Sequence, residues 1–136
     1  MEHLILFILL IIMTCFNLNE ACVKNRVVIQ NDLGIGRKLE LHCSSKNNDL
    51  GIQNLEYKFS YIIKFGEALY GGTKWNCSFR QGTRLEYYYD VEVYNQGDRL
   101  IPRCGQLRVW TTRLDGIYFT RKLSLPSVLA LRWKKK

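Results

Sequence analysis

The sequence is poor in histidine: only His3 and His42 occur in 136 residues. His3 lies in an N-terminal apolar run, which leaves His42 beside Cys43 in an alternating segment. Acid–base cleavage of RNA by a secreted basic protein needs two histidines, one to take a proton and one to give it. Serine and cysteine nucleophiles also need a base, and nothing in the spacing brings two carboxylates together. No Cys-x-x-Cys occurs, and beyond the N-terminal run only one histidine remains, a poor basis for a zinc site. The chain therefore reads as a non-enzyme that takes no metal and no cofactor. No apolar run after the first thirteen residues is long enough to cross a membrane, and there are no internal repeats and no linker.

The residues present point to secretion. Met1 to Met13 reads MEHLILFILLIIM, too short to span a bilayer comfortably and suited to the core of a signal peptide. Its leading end departs from the usual pattern, with Glu2 and His3 but no Lys or Arg. Cleavage is expected near Ala21, so residues 1–21 are read as signal peptide and 22–136 as one extracellular domain with a basic tail, Arg132–Lys136, expected to fray. The chain has 20 basic and 12 acidic side chains, and the leader holds two of the acids and no Lys or Arg, leaving a mature net charge of +10. Such a surface attracts anions in a salt-dependent way. Five cysteines occur, and Cys15 leaves with the leader. Cys22, Cys43, Cys77 and Cys104 remain, an even number for an oxidising compartment, and they allow three pairings.

Hydrophobic residues recur with a period of two. Val27–Gln30 is a β-branched run, and Leu39, Leu41 and Cys43 alternate with polar neighbours. Leu55, Tyr57, Phe59, Tyr61, Ile63 and Phe65 form one face of a single long strand, with Ile62 an exception on the other. Trp75, Cys77 and Phe79 share a face. Leu85, Tyr87, Tyr89, Val91 and Val93 alternate with Glu86, Tyr88, Asp90, Glu92 and Tyr94, which places Tyr94 on the polar side. A strand with Leu107 and Val109 ends near Trp110, and the turn pair Asp115-Gly116 leads to Ile117–Phe119. Turn residues separate the runs at Asn31–Gly34, Asn47–Gly51, Gly71-Gly72 and Asn95–Asp98. Helical periodicity is confined to Pro126–Trp133. The expected fold is all-β, a small disulfide-bonded antiparallel β-sandwich of about seven or eight strands.

Three features bear on binding. Asn76-Cys77-Ser78 is an N-glycosylation sequon, and alternation puts Asn76 outside and Cys77 inside. Aromatic residues near basic ones can stack on single-stranded nucleic acid, but their alternation assigns them to the core, and no nucleic-acid partner is expected. The polar loop from Asn95 to Arg103 sits between two strands, where recognition often lies, although its composition alone equally fits a plain solvated connection.

The segment His42-Cys43-Ser44-Ser45-Lys46-Asn47-Asn48-Asp49-Leu50-Gly51 resembles the His-Cys…Asp-Leu-Gly signature of the plant self-incompatibility S-proteins. Val28–Leu33, Phe59-Ser60-Tyr61 with Phe65-Gly66, Trp75-Asn76-Cys77, Tyr94, Cys104, Trp110 and Asp115–Tyr118 follow in that family's order. The likeness extends to the poppy stigma members. It implies a secreted, glycosylated β-sandwich that acts as a ligand, recognised by a pollen plasma-membrane receptor and inhibiting self pollen. The ligand is expected to be a monomer without membrane insertion. Alternatives are a basic defence protein acting on membranes or wall polymers, or a homologue with another signalling role. The resemblance places recognition on Asn95, Gln96, Asp98, Arg99 and Arg103, with Asp49 as an activity residue. The family's second cysteine in Cys-x-x-x-Cys-x-Trp is replaced here by Arg108, between Cys104 and Trp110, and Cys22 is expected to supply the missing partner.

Overall fold

A computed structural model describes residues 2–8 and 22–136. Residues 2–8 are helical and exposed along their length. Cys15 and the expected cleavage point near Ala21 lie outside the described residues. Ten strands follow: β1 (Asn25–Asn31), β2 (Leu39–Ser44), β3 (Asp49–Leu55), β4 (Ser60–Phe65), β5 (Lys74–Gln81), β6 (Tyr87–Asn95), β7 (Leu107–Arg113), β8 (Gly116–Thr120), β9 (Val128–Leu131) and β10 (Lys134–Lys135). They form two five-stranded sheets, ordered β4-β1-β7-β8-β9 and β10-β6-β5-β2-β3. The chain is an all-β sandwich, and one strand pair departs from antiparallel pairing: β1 and β7 run parallel.

Period-two alternation decides which side chains enter the core. In β2 and β5, Leu39, Leu41, Cys43, Trp75, Cys77 and Phe79 are all buried while their neighbours are not. Val27, Ile29, Ile63, Phe65, Trp110 and Ile117 face them from the other sheet. Each such side chain contributes about 1.5–3 kcal/mol by leaving water. Trp110 bridges the layers, its indole Nε1 donating to the carbonyl of Val93 at 3.2 Å.

Four local expectations are corrected. The single strand expected across Leu55–Phe65 is two strands, β3 and β4, one in each sheet. Lys58 turns the chain with φ of 75°. Its amide donates to the carbonyl of Asn31, and the amide of Asn31 donates to the carbonyl of Phe59. Tyr94 is buried, because a register shift opposite Trp75/Asn76 inserts one residue into β6 and puts both Val93 and Tyr94 inside. The turn after β7 is centred on Leu114-Asp115, with Gly116 already paired to Arg113. The C-terminal segment is strand, not helix, and Lys134 and Lys135 pair with Tyr88 and Tyr87, so this part of the tail is not frayed. Trp133 donates its indole N–H to the carbonyl of Arg113 at 2.7 Å, carrying the chain from one sheet to the other.

Two disulfides are present. Cys43–Cys77 joins facing residues of β2 and β5 on the core side, with Cα atoms 4.0 Å apart. Cys22–Cys104 ties the segment before β1 to the β6–β7 loop, with a Cα separation of 5.4 Å. A non-reducing peptide map of the mature protein is expected to return these two linked pairs; a free thiol on Cys22 would contradict the pairing. Replacing Cys43 and Cys77 together by alanine is expected to cost about 2–5 kcal/mol in denaturant unfolding.

Candidate functional site

The strand registers gather one set of loops at one end of the sandwich. β2 ends and β3 begins there, around the turn 45–48; Ser44 faces Asn76 and Lys74 faces Asn95, so the β4–β5 loop (66–73) and the β6–β7 loop (96–106) lie beside it. This end brings together the signature turn, the sequon, the Asn95–Arg103 loop and the Cys22–Cys104 bond.

Glu67 organises it. Its side chain is 0% exposed and is encircled by donors. Arg99 grips it with two hydrogen bonds, at 2.9 Å to Oε1 and 2.6 Å to Oε2. The Tyr94 hydroxyl donates to Oε2 and the Arg103 amide to Oε1, each at 2.6 Å. Burial alone raises this carboxyl, but the donors from Arg99, Tyr94 and Arg103 outweigh it and hold it at about 2. Burial and the bond to Glu67 push the Tyr94 phenol up to about 12. Beneath the hub, Phe65 meets Tyr94 edge-on, with ring centroids 4.7 Å apart.

Gln96 performs a parallel task. Buried at 3% exposure, it accepts from the Thr73 amide and donates to the carbonyls of Ala68 and Arg99. Asn25 donates to the Arg103 carbonyl and accepts from the Gln106 amide. The loops also touch through backbone: Gly72 donates to Gly97, and Tyr70 to Leu100. Gly71, at φ of 87°, lies so close that a Cβ would sit 2.8 Å from the Gly97 carbonyl oxygen. Both loops are thereby fixed at their bases.

The expected recognition residues divide. Asn95 and Asp98 are exposed, as is Arg103, whereas Gln96 and Arg99 are turned inward and hold the loop. Asn95 caps its own turn, accepting from the Gly97 amide and donating to Glu92. The loops display apolar tips instead: Leu69, Tyr70, Leu100 and Ile101 are 64–82% exposed. Sequence reading missed them, and it missed Glu67, because none lies in an alternating run. Exposed large apolar residues clustered on a fixed frame mark an interaction surface.

On the neighbouring turn, Asp49 begins β3. Its Oδ1 accepts from the Gly51 amide at 2.9 Å and lies 2.6 Å from Nε2 of His42. The Gly51 amide, and then His42, hold this carboxyl below the usual range. The spacing of His42 and Asp49 therefore encodes a cross-strand polar pair on an exposed face. Asn76 is exposed and Cys77 is buried, as alternation requires. Among the described residues no group of three or more His, Cys, Asp or Glu converges to hold a metal ion, and no helix is long and apolar enough to cross a membrane.

The described residues thus form a small disulfide-bonded β-sandwich with a signature turn and anchored loops at one end. The plant self-incompatibility protein S1 family model matches residues 26–133, and the chain belongs to that family. It is 50% identical to S-protein homolog 25 of Arabidopsis thaliana over 136 residues, covering 99% of each chain. It is 53% identical to S-protein homolog 30 of the same plant, covering 93% of this chain and all of the other. A solved structure of a self-incompatibility protein homologue, described as one of a widespread family of small, highly stable, secreted proteins from plants, superposes with a TM-score of 0.66 at 34% identity, covering 85% of this chain and 99% of that one.

Glu67→Gln is expected to destabilise the fold by about 1–3 kcal/mol, towards the lower end because the Arg99 side is partly solvated. A carboxyl lowered in the folded state stabilises above its unfolded value, and that contribution is lost as pH falls from about 4.5 towards about 2. Urea titrations across this range should show a larger loss in the wild type than in Glu67→Gln, since other lowered carboxyls such as Asp49 remain in both.

Proposed function

We propose that this chain is a secreted monomeric ligand that binds a plasma-membrane receptor through its loop end and acts by recognition rather than catalysis. The observation that carries this reading is the pairing of exposed apolar tips, Leu69, Tyr70, Leu100 and Ile101, with the buried anchors Glu67 and Gln96. Loops already held in one shape lose little entropy on binding, so their exposed side chains contribute more of their contact energy to affinity. Family membership supports secretion, with residues 1–21 removed as signal peptide. In its narrow form, the reading extends to this chain the role of the poppy stigma proteins: the receptor lies on pollen and the ligand arrests self tubes.

The test is to apply folded mature protein to pollen tubes of matched and unmatched genotypes, recording growth and cytosolic calcium. Arrest of matched tubes alone is expected. Tyr70→Ser with Ile101→Ser should abolish it while the thermal midpoint stays within a few degrees, since both side chains are solvent-exposed. Arrest of every genotype would replace the narrow form with a general toxin. A calcium response undiminished by the double substitution would remove the loop end from recognition.

The basic tail gives a defence reading one specific support. Lys134 and Lys135 lie over the rings of Tyr89 and Tyr87, an ordered basic strip. Deleting the tail would also break β10, so Lys134→Gln with Lys135→Gln is the cleaner probe of binding to anionic vesicles or wall polymers. The exposed Asn76 is proposed to carry an N-glycan; protein secreted from plant cells should lose mass with Asn76→Gln, and an unchanged mass would leave the sequon unused.

A further inference from the structure

At the seam between the sheets two arginines, Arg108 and Arg121, line one cavity without an ion-pair partner of their own among the described residues. The ladder sets Val27 opposite Arg108 on β1, and Val27 is fully buried, so Arg108 projects from the core-facing side of β7. On the other flank Val109 pairs with Thr120, which brings Arg121 into the place opposite Arg108. Both guanidiniums lie over rings: Arg108 is 5.1 Å from the Tyr94 centroid and Arg121 is 6.0 Å from that of Phe119. Between them opens a cavity of about 250 Å³, lined also by Trp110 and Asn95.

Neither arginine makes an ion pair among the described residues. The hydrogen bond that Arg108 does make runs from Nη1 to the carbonyl of its own neighbour, Leu107, at 2.9 Å. The two carboxylates nearby are engaged elsewhere: Glu92 lines the cavity but holds Lys74 and Asn95, and Glu67 is saturated by Arg99, Tyr94 and Arg103. Half-burying an unpaired guanidinium is unfavourable, and so is setting a second cation beside it. Burial first, and then Arg121, push the Arg108 guanidinium down. One anion accepting from both groups relieves both costs. The planar fork of arginine, held in place by a ring, matches the two oxygens of a carboxylate or sulfate.

We propose that Arg108 and Arg121, with Tyr94, Trp110 and Phe119 as walls, form a binding site for a small oxyanion, a carboxylate or a sulfate carried on a group no larger than one sugar ring. The cavity lies below the size range of most drug-sized pockets, which limits the ligand to such a group.

The test is an NMR titration of the ¹⁵N-labelled, disulfide-intact mature protein with sodium sulfate and, separately, sodium galacturonate. Sodium chloride at equal ionic strength is the control. Saturable shifts are expected at the Arg108 and Arg121 Nε–H and the Trp110 indole N–H. Saturation by galacturonate assigns a carboxylate, and saturation by sulfate alone assigns a tetrahedral oxyanion. Arg121→Gln, at an exposed position, should weaken binding about tenfold or more with the fold intact, and Arg108→Gln should do the same. Shifts that chloride reproduces, that centre on Lys134–Lys136, or that persist undiminished in Arg121→Gln would overturn the proposal. Should Arg108→Gln fail to fold, Arg121→Gln decides alone.

Discussion

A carboxylate shut away from water must be surrounded by donors, and at Glu67 those donors come from three places in the chain. Tyr94 lies one residue before the end of a strand in one sheet, Arg99 sits on the loop that leaves that strand, and Arg103 approaches the next strand in the other sheet. Satisfying one side chain therefore fixes the path of the β6–β7 loop relative to the β4–β5 loop. The alternative, an uncompensated buried charge, costs several kcal/mol and competes with the net stability of a small domain. Loop shape at this end is thus a consequence of charge satisfaction.

The opposite end obeys the same constraint with a neutral residue. Asn31, 1% exposed, donates through Nδ2 to the carbonyls of Leu55 and Arg37 and accepts from the Leu33 amide. It sews the β1–β2 loop to the corner where the chain passes from β3 in one sheet to β4 in the other. The last passage between sheets, from β9 to β10, is pinned by Trp133 on Arg113. A sandwich leaves backbone groups unpaired where chains cross between layers, and side-chain amide or indole groups supply the partners here. Among the described residues no buried side-chain nitrogen or oxygen lacks one.

This division explains what the sequence could disclose. β2 and β5 were legible because burial there follows strict alternation on one sheet. The break at Lys58 was not, because Tyr57 and Phe59 continue an aromatic pattern while the backbone turns through a left-handed residue that alternation cannot register. The bulge beside Val93 changed Tyr94 from a surface residue to the partner of Glu67, with no local sequence mark. The tail was misread because two lysines on an edge strand carry no hydrophobic period; their pairing depends on β6 being available. Cys22 was legible as the substitute partner of Cys104 only through the family pattern. The anchoring role of Gln96 and Arg99 was hidden, since a polar loop composition looks the same whether its side chains face inward or outward.

The family pattern that the sequence resembles has a cysteine where this chain has Arg108, and this chain bonds Cys104 to Cys22. A cysteine at position 108, bonded to Cys104, would close a short loop at the start of β7. Bonding Cys104 to Cys22 closes 82 residues of sequence separation instead and still holds the β6–β7 loop. Under the loop-entropy account, the longer closure constrains the unfolded chain more. Position 108, relieved of a covalent role, still faces the seam, and a long side chain there can lay its stem along the core and its head at the edge. Arginine meets that geometry, and Tyr94, already turned inward by the bulge and held by Glu67, offers the ring on which its guanidinium rests. The position of that guanidinium therefore depends on the same buried carboxylate that fixes the β4–β5 and β6–β7 loops, so a substitution at Glu67 reaches both.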